Sequence, residues 1–128
     1  MTDAPQAENQ KIAPVFSDER GDIFDLVEEK VGHVGFITFK KGAVRANHYH
    51  LQSVQFSYVV RGTIMLRTSA TDGSDVREYE LTEGTLTRIP PMLVHTYTAQ
   101  TDATMLDMTT LSRNDDGYEK DTVRIARS

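Results

Sequence analysis

Four histidines carry most of the chemistry open to this 128-residue chain, which has no cysteine and no tryptophan. His48 and His50 stand two apart in NHYHLQ. In an extended strand residues i and i+2 project to one face, so both imidazoles can converge on one point. Gln55 opens the next alternating run, on the face opposite Phe56 and Tyr58. His95 comes much later, in RIPPMLVHTY, where a double proline sets the approach of its strand. Three imidazoles with an oxygen ligand suit a divalent cation: zinc first, with iron, nickel, manganese or cobalt also compatible. Gln55 reads either as a ligand or as the partner of a metal-bound water, and its inward parity favours the ligand. Such an all-neutral ligand set leaves the cation's charge uncompensated. The ion should then be a stronger Lewis acid, attract anionic ligands and be held less tightly.

Other residues are candidates for proton transfer and substrate binding. Tyr97 shares the strand parity of His95 and reads equally as a proton donor or as a core aromatic with a satisfied hydroxyl. In a metal-free version, one of the paired histidines, His50 above all, would move the proton itself. Arg20, Arg45 and Arg67 are candidates for a substrate phosphate or carboxylate, which guanidinium groups bind bidentately. Arg88 shares the ambiguity of Arg67, as both sit in strand-like runs. His33 stands apart from the other three and reads as an ordinary strand or surface residue, or else as a base if they all hold metal.

The elements that must position these groups are short strands. VGHVGFITFK (31–40), VQFSYVV (54–60), TIMLRTS (63–69) and the runs 76–81, 85–89, 95–98, 104–111 and 122–126 are separated by turn residues, Asp72-Gly73 among them. Turn signals recur about every ten residues without a long 3.6-residue period, which indicates an all-β sandwich or barrel. The Phe56, Tyr58 and Val60 stripe, with Met105 and Met108, reads as sheet-packing core. Residues 22–30 are a weak helical window, in which Leu26-Val27-Glu28 reads equally as strand. Residues 1–11 have no hydrophobic period and read as a mobile tail or an arm crossing to a partner, leaving 12–128 as one domain.

Composition excludes several classes. Lys+Arg 14 against Asp+Glu 19 gives a net charge of −5, which argues against a broad grip on nucleic acid. Lack of cysteine removes disulfides, thiolate metal sites and cysteine nucleophiles. No apolar run approaches the ~20 residues of a membrane span, and the polar N-terminus is unlike a signal peptide, so a cytoplasmic protein is expected. Neither a phosphate loop nor a Gly-x-Ser-x-Gly elbow occurs.

Two motifs carry a resemblance to the cupins. Gly42-x5-His48-x-His50-x4-Gln55-x6-Gly62 resembles the first cupin motif, and Gly84-x5-Pro90-x-Met92-x2-His95-x3-Ala99 the second. The chain departs from the family where Gln55 replaces a glutamate, Met92 a glycine and Ala99 an asparagine. The resemblance implies a single-domain jelly-roll β-barrel with metal held by inward-facing His48, His50, Gln55 and His95. Asp18-Glu19-Arg20-Gly21-Asp22-Ile23-Phe24 is similar to the entry strand of cupins that act on nucleotide-linked sugars. Lys41–His50, Ile89-Pro90-Pro91 and Asp121-Thr122 fit one such group, the C-terminal cupin domain of capsular-polysaccharide enzymes that epimerise a nucleotide sugar at C3. The similarity spans roughly Phe16 to Val123.

That group implies an epimerase or isomerase of a nucleotide-linked keto sugar, with a polarising centre, a base and a cationic group for the pyrophosphate. A metal-dependent dioxygenase or cyclase on another small molecule is the alternative chemistry, and a non-catalytic sugar-binding cupin the alternative class. Small cupins commonly pair through one sheet, so a homodimer is expected.

Overall fold

The computed structural model describes residues 5–125, and almost every element in it is a strand. In chain order these are β1 (Glu8–Lys11), β2 (Phe16–Asp18), β3 (Gly21–Ile23), β4 (His33–Phe39), β5 (Val44–His50), β6 (Gln55–Arg61), β7 (Ile64–Ser69), β8 (Arg77–Leu81), β9 (Thr85–Ile89), β10 (Val94–Ala99), β11 (Ala103–Thr109) and β12 (Thr122–Arg124). A helix α1 (Gly117–Asp121) precedes β12. Ten strands form two five-stranded sheets, ordered β1-β9-β6-β11-β4 and β12-β5-β10-β7-β8, while β2 and β3 pair as a separate ribbon. All pairings are antiparallel. Two sheets wound from non-consecutive strands make a jelly roll, which limits exposed edges by face-to-face packing.

Period-two patterning accounts for the interior. Val59, Ile64, Leu66, Leu81, Met105, Phe39 and Ala99 belong to an apolar core at one end. Towards the other end the same inward positions become polar: His48, His50, Gln55, Ser57, His95 and Asp107. Gly62 ends β6 with φ +88°, a conformation that suits glycine, and a Cβ there would collide with the Asp102 carbonyl.

Three expectations are corrected. The face of β6 turned to the other sheet is Gln55, Ser57 and Val59, so the stripe lies on the opposite face: Phe56 is buried there as expected, at 4% exposure beneath Arg88, whereas Tyr58 is half-buried and Val60 is 44% exposed. Alternation alone cannot tell the two faces of a strand apart when both carry apolar groups. Residues 8–11 are not a free tail but an edge strand on the chain's own β9, with Glu8 opposite Arg88 and the Asn9 amide oxygen accepting from the Thr87 hydroxyl at 2.7 Å. Main-chain pairing to an open edge needs no hydrophobic period, so composition did not reveal it. The earlier part of that tail, residues 1–4, lies outside the described residues. The 22–30 window forms no helix; Asp22 and Ile23 belong to β3 and residues 24–30 follow it as irregular chain.

Candidate active site

His48 reaches the interior through a bulge in β5. Ala46 and Asn47 have φ of +72° and +64°, and the β5–β10 register shifts between His95, opposite His48, and Thr96, opposite Ala46. Bulges re-aim side chains beside functional sites. Here the bulge lets Arg45 and His48, three residues apart and of opposite strand parity, line the same cavity. The Asn47 side chain secures the bulge on the outer side, accepting from the Thr96 hydroxyl at 3.1 Å. On the other motif, Met92 takes the backbone its family glycine would have, at φ +68°.

His48, His50 and His95 form one cluster. Ring centroids lie 4.9, 4.7 and 5.4 Å apart, and one nitrogen from each lies within 4.8 Å of the others. His95 Nδ1 donates to the Leu93 carbonyl at 3.0 Å, which leaves Nε2 as a buried lone pair without a partner. Such a bond is the usual way a ligating imidazole is held in its tautomer. His50 Nε2 donates to Gln55 Oε1 at 2.9 Å, while its Nδ1 accepts from the Thr122 hydroxyl at 3.3 Å with Asp121 behind at 3.8 Å. The Gln55 amide donates to the Tyr97 hydroxyl at 3.3 Å, and that hydroxyl also bonds Ser57.

Burial sets the charge of these groups. It lowers His48 to about 4, assisted by His50, Arg124 and Arg113. His95 falls to about 3, again through burial first and then the nearby His48, against the opposing Leu93 carbonyl bond. Both imidazoles are therefore neutral near pH 7 and offer lone pairs. The orphaned His95 Nε2 and the neutral His48 imidazole converge with the His50 ring, and this set fits a divalent cation with modest contraction when the His50 proton sits on Nδ1, with Gln55 Oε1 beside His50 as the fourth donor. Burial pushes Tyr97 above the ordinary tyrosine range, ahead of its hydroxyl contacts.

A cavity of about 360 Å³ opens between the sheets. Of the cluster only His48 reaches its wall, beside Gln55 and Tyr97; His50 and His95 lie behind it. Arg45 lines the cavity too, its guanidinium 5.3 Å over the Phe39 ring and donating to the Thr38 carbonyl at 3.0 Å. Arg20 is not brought to the site: it pairs with Asp18 at 2.6 Å on the β2–β3 ribbon. Arg67 faces outward on β7, where it borders a separate depression of about 320 Å³. Arg88 also faces outward, 3.5 Å from Glu29.

Sequence reasoning missed Asp107, Arg113 and Tyr118, all on the cavity wall, and read His33 as an ordinary strand residue although it lines the same wall. Asp107 had a visible signal, as an acid interrupting the inward series Ala103, Met105, Asp107 on β11. Arg113 and Tyr118 belong to the stretch between β11 and β12, Tyr118 within the short α1, where no period predicts direction.

Comparisons with known proteins agree with this architecture. A model of the polysaccharide biosynthesis C-terminal domain matches residues 16–123. Among curated proteins no sequence matches. A sugar 3,4-ketoisomerase from Thermoanaerobacterium thermosaccharolyticum, solved with TDP, is 17% identical over 93% of this chain and 88% of that one, with TM-score 0.76. A 3,4-ketoisomerase from Helicobacter canadensis is 15% identical over 95% and 92%, with TM-score 0.78. The dTDP-4-dehydrorhamnose 3,5-epimerase from Sulfolobus tokodaii is 19% identical over 94% and 76%, with TM-score 0.72. These likenesses show the cupin jelly roll. Because the family match runs from the first residue of β2 to the middle of β12, the chain belongs to the polysaccharide biosynthesis C-terminal domain family.

Proposed function

We propose that this protein is an isomerase or epimerase of a nucleotide-linked keto sugar used in polysaccharide biosynthesis. The observation that carries this reading is a sugar-sized cavity with the neutral imidazole of His48 on its wall and the guanidinium groups of Arg45 and Arg113 beside it. The family, and solved relatives described as sugar isomerases and epimerases, support the same chemistry.

Both reaction types begin alike. A proton leaves the carbon next to the ketone, and the electron pair of its C–H bond passes into an enolate. Arg45 and Arg113 supply the cationic, bidentate donors that a diphosphate needs. Arg113 is held 4.4 Å over the Tyr118 ring, so its fork is oriented before substrate arrives. His48, unprotonated at neutral pH, accepts or returns the proton at its free ring nitrogen, and Tyr97 and Gln55 hold the inner wall as one hydrogen-bonded unit. His50 supports Gln55 rather than meeting the cavity. A divalent metal, zinc first, fits His48, His50, His95 and Gln55; bound there it would take the His48 lone pair, so that His48 serves as base only in the metal-free protein, and the ion would instead stabilise negative charge on the substrate oxygen.

Solvent exchange tests the reading. With a panel of nucleotide 4-keto sugars beginning with TDP-4-keto-6-deoxyglucose, deuterium should enter the carbon next to the ketone in deuterium oxide. No exchange with any member, in zinc-loaded and metal-free protein alike, would sink it.

A homodimer is part of the same proposal. The outer face of β4 presents Val34 and Phe36 at 59% and 68% exposure, next to the half-buried Leu106 on β11. An apolar face of this kind on a sheet suits a second copy. Solution mass at micromolar concentration should be twice the chain mass of 14.4 kDa, and a monomer would refute the pairing.

A further inference from the structure

The cavity has a second reactive wall. His48, Arg45 and Tyr97 come from the β12-β5-β10-β7-β8 sheet, whereas Asp107 on β11 and His33 on β4 face them from the other. The Asp107 side chain is 6% exposed. Its Oδ2 lies 3.6 Å from Arg113, and its Oδ1 is buried without any hydrogen-bond partner. His33 Nδ1 is equally unpartnered. Gly35 stands opposite Asp107 in the β4–β11 register, and a Cβ there would press on the His33 ring at 3.1 Å. The missing side chain keeps that wall open. Buried carboxylate oxygens normally find partners, so an orphaned one on a ligand-sized cavity is an acceptor waiting for a group from the ligand.

Resting on the function proposed above, we propose that Asp107 is a catalytic acid–base on the wall opposite His48, and that the reaction is an epimerisation next to the ketone of the bound sugar. The bond from that carbon to hydrogen breaks on the Asp107 side, its electron pair forms the enolate C=C, and the proton passes to the Asp107 carboxylate, which lines the cavity. The reverse transfer returns it. A proton delivered from the other wall gives the opposite configuration, with no change in oxidation state. Groups on both faces of a ring are what inversion requires; one group would only remove and replace a proton on the same face. Arg113 positions the carboxyl. Burial raises it to about 6 against the pull of Arg113, close to the value that suits a proton-transfer group at neutral pH.

The test uses Asp107→Asn and the wild-type protein, with each of the two epimers of a nucleotide 4-keto sugar that the wild type converts, in deuterium oxide. Epimerisation in the variant should fall about 10²–10⁴-fold, while deuterium still enters one epimer and no longer the other. Epimerisation within threefold of wild type overturns the role of Asp107 and leaves the function standing. Loss of exchange from both epimers in a folded variant also overturns it, since the opposite wall should still act. If the Asn variant does not fold, Asp107→Ala with added formate decides: return of the missing exchange supports the proposal, and no return overturns it. Absence of exchange in the wild type overturns the underlying function, and this inference with it.

Discussion

Replacing His48 with asparagine lowers keto-sugar turnover by about 10²–10⁴-fold, the range for loss of a positioned proton-transfer group. Asparagine retains a polar side chain of smaller volume, so the fold is expected to survive with a shift in melting temperature of only a few degrees. Position explains the size of the effect: His48 is the one member of the His48–His50–His95 cluster on the cavity wall. His50→Asn should cost less, because His50 acts through its bond to Gln55. Equal losses at the two positions would instead mean that the cluster acts as a unit, as a shared metal requires. Steady-state rates for both variants, measured with and without added zinc, separate these outcomes. A loss below tenfold at His48 would remove it from the mechanism.

Acidification destabilises the metal-free protein steadily from pH 6 to pH 4.5. An unfolded chain protonates both imidazoles near the ordinary histidine value of 6.5, whereas the native state withholds protons from His48 until about 4 and from His95 until about 3. The stability these neutral histidines contribute is present above pH 6.5 and is lost as pH falls towards those values. Asp107 works in the opposite direction. Its native carboxyl takes a proton near 6 and its unfolded one only near 3.8, so it favours the native state in the same window. Two protons gained by the unfolded state against one gained by the native state leave a net of one. Stability should fall by about 1.4 kcal/mol per pH unit, about 2 kcal/mol over the window. Asp107→Asn removes the opposing proton and should roughly double the slope. Urea midpoints at pH 6.0, 5.2 and 4.5 with a chelator present would measure both. A flat profile in the wild type would show that the imidazoles are already protonated in the folded state. Bound zinc should steepen the loss, because metal and protons compete for the same nitrogens.

Much of this site could be read before any coordinate. His48-x-His50 and His95 on strands, separated by the turn glycines Gly62 and Gly84, predicted the cluster, and parity placed Gln55 and Tyr97 with it. Ligand types, strand period and turn residues are local properties, and local chemistry survives into the fold. Parity failed where a strand was irregular or apolar on both faces. Arg45 enters the cavity where Ala46 and Asn47 adopt positive φ, while Phe56 is buried on the face of β6 away from the cavity.

Residue order alone thus determined an all-β chain, a histidine cluster with a neutral amide beside it, and the family in which such a cluster occurs. Only the tertiary structure decided which imidazole meets the cavity, that Arg20 and Arg67 stand elsewhere, and that Asp107 and His33 face His48 across it. The physical reason is that alternation assigns a side chain to one face of its own strand. Which faces of two sheets meet, and which buried atoms are left without partners between them, depends on pairings between residues as distant as Thr122 and His50, which no local period encodes.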